Sequence, residues 1–204
     1  MEKFLVTIDG PSGVGKTSVG KSIATKLNSC FFSSGSIYRS VAKFLLNNKN
    51  VEIEDLKIEI ISEQCNVNGV IFDEEELYDN EVSVKSSEIA KKVGLRILVK
   101  DCLISYFDNL DKPLVIEGRD MGSVVFPDAE HKVYLDADLE TRGKRREGQS
   151  NMEETVLDVK KRDFEDKNRV FSPLTIPEGA LVIDNSNLSI DETIDLIIKN
   201  LKLQ

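Results

Sequence analysis

Short apolar runs recur along this chain, separated by stretches in which apolar residues return at helical spacing. The runs fall at 3–9, 113–117, 132–136 and 180–184, with a shorter one near Cys30–Phe32. Runs of this length fit strands buried on both faces. Helical patterns occupy 16–27, 36–47, 86–109, 138–147, 153–168 and 189–202; in the first, Val19, Ile23, Ala24 and Leu27 share one face. Ser189, followed three residues later by Glu192, marks a capping box at the start of the last. Strands alternating with helices predict a doubly wound α/β fold on a parallel five-stranded sheet with helices on both faces.

Val51–Val84 breaks this rhythm. Within it, Asn68-Gly69 sits between the β-formers Val67 and Val70-Ile71-Phe72, a tight-hairpin signal. The acidic run Asp73–Glu76 that follows reads best as a solvated face. The segment is expected to be a small β-rich excursion from the α/β core.

The first strand leads directly into Gly10-Pro11-Ser12-Gly13-Val14-Gly15-Lys16-Thr17. This is the spacing of a phosphate-binding loop. Small residues let backbone N–H groups close on polyphosphate oxygens, Lys16 adds a mobile charge, and the Thr17 hydroxyl suits Mg²⁺. Because a helical pattern follows at once, the phosphates would lie at a helix N-terminus, with Ser18 in its first turn. An ordinary Gly-rich turn is the alternative, and the strand before and helix after argue against it.

The chain has 204 residues and a net charge of −9. That length suits one domain, and the acidic balance argues against a nucleic-acid partner, which calls for a basic stripe. No window approaches about 20 consecutive apolar residues, and the first strand begins almost at Met1, so neither a membrane span nor a signal peptide is expected. A cytoplasmic location follows as the expectation. Cys30, Cys65 and Cys102 lie far apart and His131 is the only histidine. No metal-ligand spacing or thiol–histidine pair can be drawn from them, and packing roles are expected.

A phosphate loop alone leaves switch GTPases, motors and small-molecule kinases open. Four further clusters bear on the choice. In Ser34-Gly35-Ser36-Ile37-Tyr38-Arg39, Ser34 is placed to cap a helix whose N–H groups bind a second phosphate, with Arg39 a turn beyond. Glu117-Gly118-Arg119-Asp120 ends a buried strand, where ligands bind in open α/β sheets. Arg162, Asp166 and Arg169 fall near one helix face, an arrangement that serves equally as a salt-bridge ladder. Arg142, Arg145 and Arg146 share another helical face, where like charges repel and call for an anion such as a transferring phosphoryl group. A solvated helix end is the bland alternative for these three.

Together these residues resemble the bacterial cytidylate kinase family. The resemblance rests on Ile8-Asp9-Gly10-Pro11-Ser12-Gly13 with Gly15-Lys16, on Ser34–Arg39, on Gly118-Arg119-Asp120-Met121-Gly122 with Phe126-Pro127, on Arg162-Asp163 with Asp166 and Arg169, and on Ser172-Pro173-Leu174. It spans nearly the whole chain in order. It implies a monomeric Mg²⁺-dependent kinase of P-loop fold that moves the γ-phosphoryl of ATP to CMP or dCMP. The core would be about 1–33 and 100–204, the nucleoside-monophosphate-binding insert about 34–99, and a short lid about 142–155. The resemblance assigns Gly10–Ser18 to ATP, Ser34, Arg39 and Arg119 to the CMP phosphate, and Ser87, Arg96 and Asp120 to cytosine. It assigns Arg162 and Asp166 to the ribose, with Arg169 as a further site arginine; Lys16, Arg119, Arg142 and Arg145 are the expected catalytic charges.

Three features depart from the family pattern: Ser33 and Glu117 each replace Asp, and Gly148–Glu154 is short for a lid. A GTP switch would need an Asn-Lys-x-Asp motif, whereas Asn48-Lys49-Asn50-Val51 lacks the acid. Another nucleoside monophosphate or metabolite kinase, and a noncatalytic nucleotide sensor, remain as rivals at this level.

Overall fold

The computed structural model describes residues 3–147 and 156–202. Much of the expected lid, 148–155, and the Arg146 side chain lie outside the described residues. Two compact units divide the chain, one comprising the stretch to Phe32 with that from Asp111 onward, the other Ser33–Leu110.

The first unit opens with β1 (Leu5–Asp9), α1 (Lys16–Lys26) and β2 (Cys30–Ser33), whose last residue falls at the boundary. The chain then enters the second unit with α2 (Ser34–Asn47), β3 (Ile58–Ile61), β4 (Gln64–Val67), β5 (Val70–Ile71), α3 (Glu74–Leu77), α4 (Asn80–Ile89) and α5 (Val93–Asp108). It returns with β6 (Leu114–Gly118), β7 (His131–Asp136), α6 (Leu139–Glu147), α7 (Val156–Lys167), β8 (Leu181–Asp184) and α8 (Ile190–Leu201).

Five parallel strands in the order β2-β6-β1-β7-β8 form the main sheet, with helices on both faces. Val6, Ile8, Val115, Val133 and Leu135 are fully buried and pack with Val19, Ile23 and Ala24 of α1 and Ile194 and Ile197 of α8. The apolar runs were therefore legible as strands because both faces are covered. Register matters most for function: Asp9 stands opposite both Gly118 and Tyr134, and Asp136 opposite Asp184. The loops leaving β1, β6, β7 and β8 consequently emerge at one edge of the sheet. Ser189 and Glu192 form the expected capping box at α8.

In the second unit, β3, β4 and β5 make an antiparallel sheet. Asn68 and Gly69 both adopt positive φ, 50° and 85°, as a two-residue hairpin with this handedness of twist demands. Ser62 and Glu63 turn the preceding hairpin with φ of 50° and 63°, without the Asn or Gly that would have announced it. The acidic run is not merely a solvated face, since Asp73 and Glu76 close a capping box on α3. Nor is 86–109 one helix. It is the end of α4 and all of α5, separated at Ala90–Lys92. Ser86 and Ser87 hydroxyls both donate back to the Ser83 carbonyl, and Arg96 Nε donates to the Ala90 carbonyl at 2.7 Å. Only the Arg96 contact lies at the break, where it occupies the Ala90 carbonyl.

Candidate active site

The Gly10–Thr17 loop wraps the end of β1, and Gly15 in left-handed conformation starts α1. Gly13 has φ 80°, and a Cβ there would stand 2.6 Å from the Arg142 carbonyl oxygen, so only glycine fits between the loop and α6. Lys16 is buried and donates to the Pro11 carbonyl at 2.7 Å. Burial, followed by the neighbouring Arg119 charge, lowers its pKa to about 7 against the pull of Glu117, Asp166 and Asp9. The Thr17 hydroxyl donates to Glu117 Oε1 at 3.0 Å. A hydroxyl and a carboxylate are hard oxygen donors of the type Mg²⁺ accepts. No group of three or more His, Cys, Asp or Glu that could hold a metal exists among the described residues, so phosphate oxygens and water would complete its shell.

Beside the loop, Arg119 joins two elements. Its Nη1 donates to the Gly10 carbonyl at 3.0 Å and its Nε to Asp166 Oδ2 at 2.7 Å. Arg169 pairs with the other Asp166 oxygen. Burial by itself would raise the Asp166 carboxyl, but Arg119, Arg169 and Arg162 outweigh it and hold the group below the usual carboxylate range. Burial likewise opposes the Arg119 charge, and Asp166 reverses this, leaving its pKa raised. Asp120 is buried next to Arg119 and begins a single π-type turn, Met121–Val125, in which Val125 N donates to the Asp120 carbonyl and Phe126 N to that of Met121.

The expected helical face of Arg162, Asp166 and Arg169 is only partly realised. Helix α7 stops at Lys167; Asn168 still donates its backbone N–H to the Phe164 carbonyl, and its side-chain amide donates to the same oxygen. Arg169 reaches Asp166 from beyond the helix end.

The arginines of α6 are also committed. Arg142 is buried and donates to Asp163 Oδ2 at 2.5 Å, to the Ala137 carbonyl at 2.9 Å and to the loop carbonyl of Ser12 at 3.2 Å. Arg145 donates to Asn185 Oδ1 and to its carbonyl, both at 2.9 Å, while Asn185 Nδ2 donates to the loop carbonyl of Val14 at 2.9 Å. The anion inferred from like charges on this face is, for Arg142, the protein's own Asp163. Both arginines brace the phosphate loop, one directly and one through Asn185.

The second unit holds the other expected residues. Arg39 Nη1 donates to the Leu77 carbonyl and the Ser83 hydroxyl, each at 2.9 Å, with its guanidinium 4.7 Å from the Tyr78 ring centroid. The Ser87 hydroxyl donates to the Ser83 carbonyl at 3.1 Å, so Arg39 and Ser87 converge on one residue. Arg96 is buried, its guanidinium 5.5 Å from the ring centroid of Tyr38, the neighbour of Arg39. Ser34 does not cap α2. The strand runs through Ser33, which becomes the N-cap, and Ser34 is the first helical residue, buried.

Four residues that contact the expected site residues or the turn after Asp120 escaped assignment in the sequence. Glu117 had a signal, an acid at the end of a buried strand, and Asn185 had the weaker one of a polar residue just past β8. Asp9 and Asp163 gain their importance from partners at 121, 122 and 142, which spacing cannot reveal.

A family model described as cytidylate kinase matches residues 6–203. The cytidylate kinase of Mycoplasmopsis synoviae (strain 53) is 37% identical over 98% of this chain and 99% of its own length. That of Fusobacterium nucleatum subsp. nucleatum is 33% identical over 99% of each. Among solved structures, a gluconokinase from Sinorhizobium meliloti 1021 superposes with a TM-score of 0.57 at 12% identity, covering 98% of this chain and 94% of that one, a likeness of fold.

Proposed function

Because this chain belongs to the cytidylate kinase family, we propose that it transfers the γ-phosphoryl group of ATP to CMP or dCMP, giving ADP and CDP or dCDP. The observation that carries the reading is the chain of contacts from the Gly10 carbonyl through Arg119 to Asp166 and Arg169. It ties the phosphate loop to the residues assigned to the acceptor.

The chemistry needs no activated protein nucleophile. A phosphate monoester is largely dianionic at neutral pH, so an acceptor phosphate oxygen attacks the γ-phosphorus directly. One P–O bond forms, the bond to the β,γ-bridging oxygen breaks, and ADP leaves with the electron pair. Catalysis is then positioning and charge. Backbone N–H groups of the Gly10–Ser18 loop, Pro11 excepted because it has none, and the Lys16 ammonium hold the donor phosphates. Arg119, held by the Gly10 carbonyl and Asp166, supplies charge beside the loop. Arg142 and Arg145 act by keeping the loop in place. Thr17 and Glu117 would hold Mg²⁺, which, when bound, neutralises charge on the donor phosphates.

On the acceptor side, Ser34, Arg39 and Arg119 bind the CMP phosphate, Asp166 with Arg162 and Arg169 binds the ribose, and Ser87, Arg96 and Asp120 read the base. Cytosine presents an acceptor at N3 and a donor amino group at C4, whereas uracil reverses both. An arginine donor and a carboxylate acceptor fit the first pattern only. We place this reaction in the cytoplasm and within a single chain. No helix among the described residues is long and apolar enough to cross a membrane.

An acceptor panel tests the assignment. With ADP release as readout, CMP should exceed UMP in kcat/KM by roughly 30- to 10⁴-fold, since each mismatched buried group costs about 1–3 kcal/mol. Equal turnover of CMP and UMP would refute the cytosine assignment, and no stimulation by any acceptor would refute the kinase.

A further inference from the structure

The parallel register sets Asp9 opposite Gly118, so the chain leaving β6 must cross the end of β1 at once. As it does, Met121 N donates to Asp9 Oδ1 at 2.8 Å and Gly122 N to Oδ2 at 2.7 Å. These N–H groups open the π-type turn, where helical donors lack partners of their own. One carboxylate satisfies both. A side-chain amide could not, because it accepts at its oxygen and would turn an NH₂ toward the second N–H.

The approach is close. A Cβ at Gly122 would lie 2.7 Å from Thr7 Oγ1, 3.1 Å from Pro177 Cγ and 3.3 Å from Asp9 Oδ2. Asp9 is fully buried, and burial pushes its carboxyl up to about 7, while the two N–H bonds and Lys16 favour the charge and Asp120 opposes it. A charge in such a place persists only when its hydrogen bonds compensate the lost hydration. What those bonds hold is the turn that Asp120 begins. Asp120 is fixed on its carbonyl side by Val124 and Val125 N–H, at 3.0 and 3.1 Å, and on its C-terminal side by the Asp9 contacts.

From this geometry we propose that Asp9 is a positioning residue for acceptor recognition, acting through the placement of Asp120, while Arg119 keeps its own bonds to the Gly10 carbonyl and Asp166. It rests on the cytidylate kinase reading above, and goes beyond it by giving a specificity role to a residue of the donor-side strand.

Asp9→Asn and Gly122→Ala in the full chain test it, the first removing one acceptor and the second driving the turn away from β1. Steady-state kinetics with CMP, UMP and ATP are compared with MgATP binding by calorimetry. Each variant should raise the CMP KM by about tenfold or more and narrow the CMP-over-UMP preference, with the ATP KM and MgATP Kd within about twofold of wild type. A folded Asp9→Asn enzyme with unchanged CMP KM and base preference would overturn the proposal. So would parallel losses on the ATP and CMP sides, or loss of MgATP binding in both variants, which mark a role in folding alone. Wild-type enzyme is assayed alongside. If it phosphorylates no CMP, the function itself is refuted and the acceptor role of Asp9 falls with it; if it is active, the variants bear on Asp9 alone.

Discussion

Replacing Asp166 by Asn removes one charge from a group in which a single carboxylate serves two guanidiniums. The side chains are 7% exposed for Asp166, 21% for Arg119 and 13% for Arg169, so solvent screens the group little. Removing one partner of a buried pair costs about 3–5 kcal/mol; the amide keeps one acceptor oxygen, which brings the expected loss to about 2–3 kcal/mol. For a chain of this length each kcal/mol moves Tm by about 2–4 °C, so the melt should fall by roughly 4–12 °C at neutral pH. The sign with pH follows from the depressed carboxyl. Its stabilisation is complete above the unfolded value near 3.8 and is lost as pH falls through the lower folded value, so the Tm gap should close in acid. In kinetics the same change should raise the CMP KM at least about tenfold and leave the ATP KM within about twofold, since a charge-assisted bond to a ribose hydroxyl is worth about 1.5–3 kcal/mol. Differential scanning fluorimetry across pH and initial rates with each substrate varied are sufficient. A Tm within about 1 °C of wild type would refute the buried-pair argument, and equal shifts in both KM values would refute the ribose assignment.

Lys16→Ala should lower turnover by roughly 10²–10³ with circular dichroism unchanged, the usual scale for one preorganised charge, and near-native turnover would remove Lys16 from the mechanism. Because burial brings Lys16 down to about 7, donor phosphates should raise it again, so MgATP binding at pH 8 should take up protons; binding enthalpies that do not change with buffer ionisation enthalpy would contradict this. Arg142→Met leaves Asp163 unpaired and releases the Ser12 carbonyl, and should raise the ATP KM about tenfold with a smaller change for CMP; the reverse split would show that α6 serves the acceptor instead.

The sheet was legible because its strands are buried on both faces and bounded by turns, and α8 because Ser189 and Glu192 lie within one turn of each other. The hairpin at Asn68-Gly69 was legible for the same local reason, whereas that at Ser62-Glu63 carries positive φ on residues that do not advertise it. The break between α4 and α5 was hidden because the helical pattern runs on through it, and the Arg96 contact to the Ala90 carbonyl at the break is a side-chain contact that pattern does not carry.

The site divides along the same line. Gly10–Thr17 could be read because the whole loop lies within eight positions, whereas Glu117 carried only the weaker signal of an acid at a strand end. The partners of Asp166 could not be read from helical spacing alone. Spacing pointed to a ladder along α7, but the helix ends at Lys167, and a further anchor comes from Arg119, 47 residues away in sequence. Arg119 reaches Asp166 only because the register of β1 and β6 brings Gly118 beside Asp9, and the same register turns Met121 and Gly122 onto the Asp9 carboxylate. Arg119 therefore bonds both the Gly10–Thr17 loop and Asp166, which is proposed for the acceptor, and its loss would disturb both at once. Asp9 and Asp166 each touch the arginine's surroundings from one side, which is why the separation of CMP from ATP effects at those two carboxylates, rather than at Arg119, distinguishes positioning of the acceptor from maintenance of the fold.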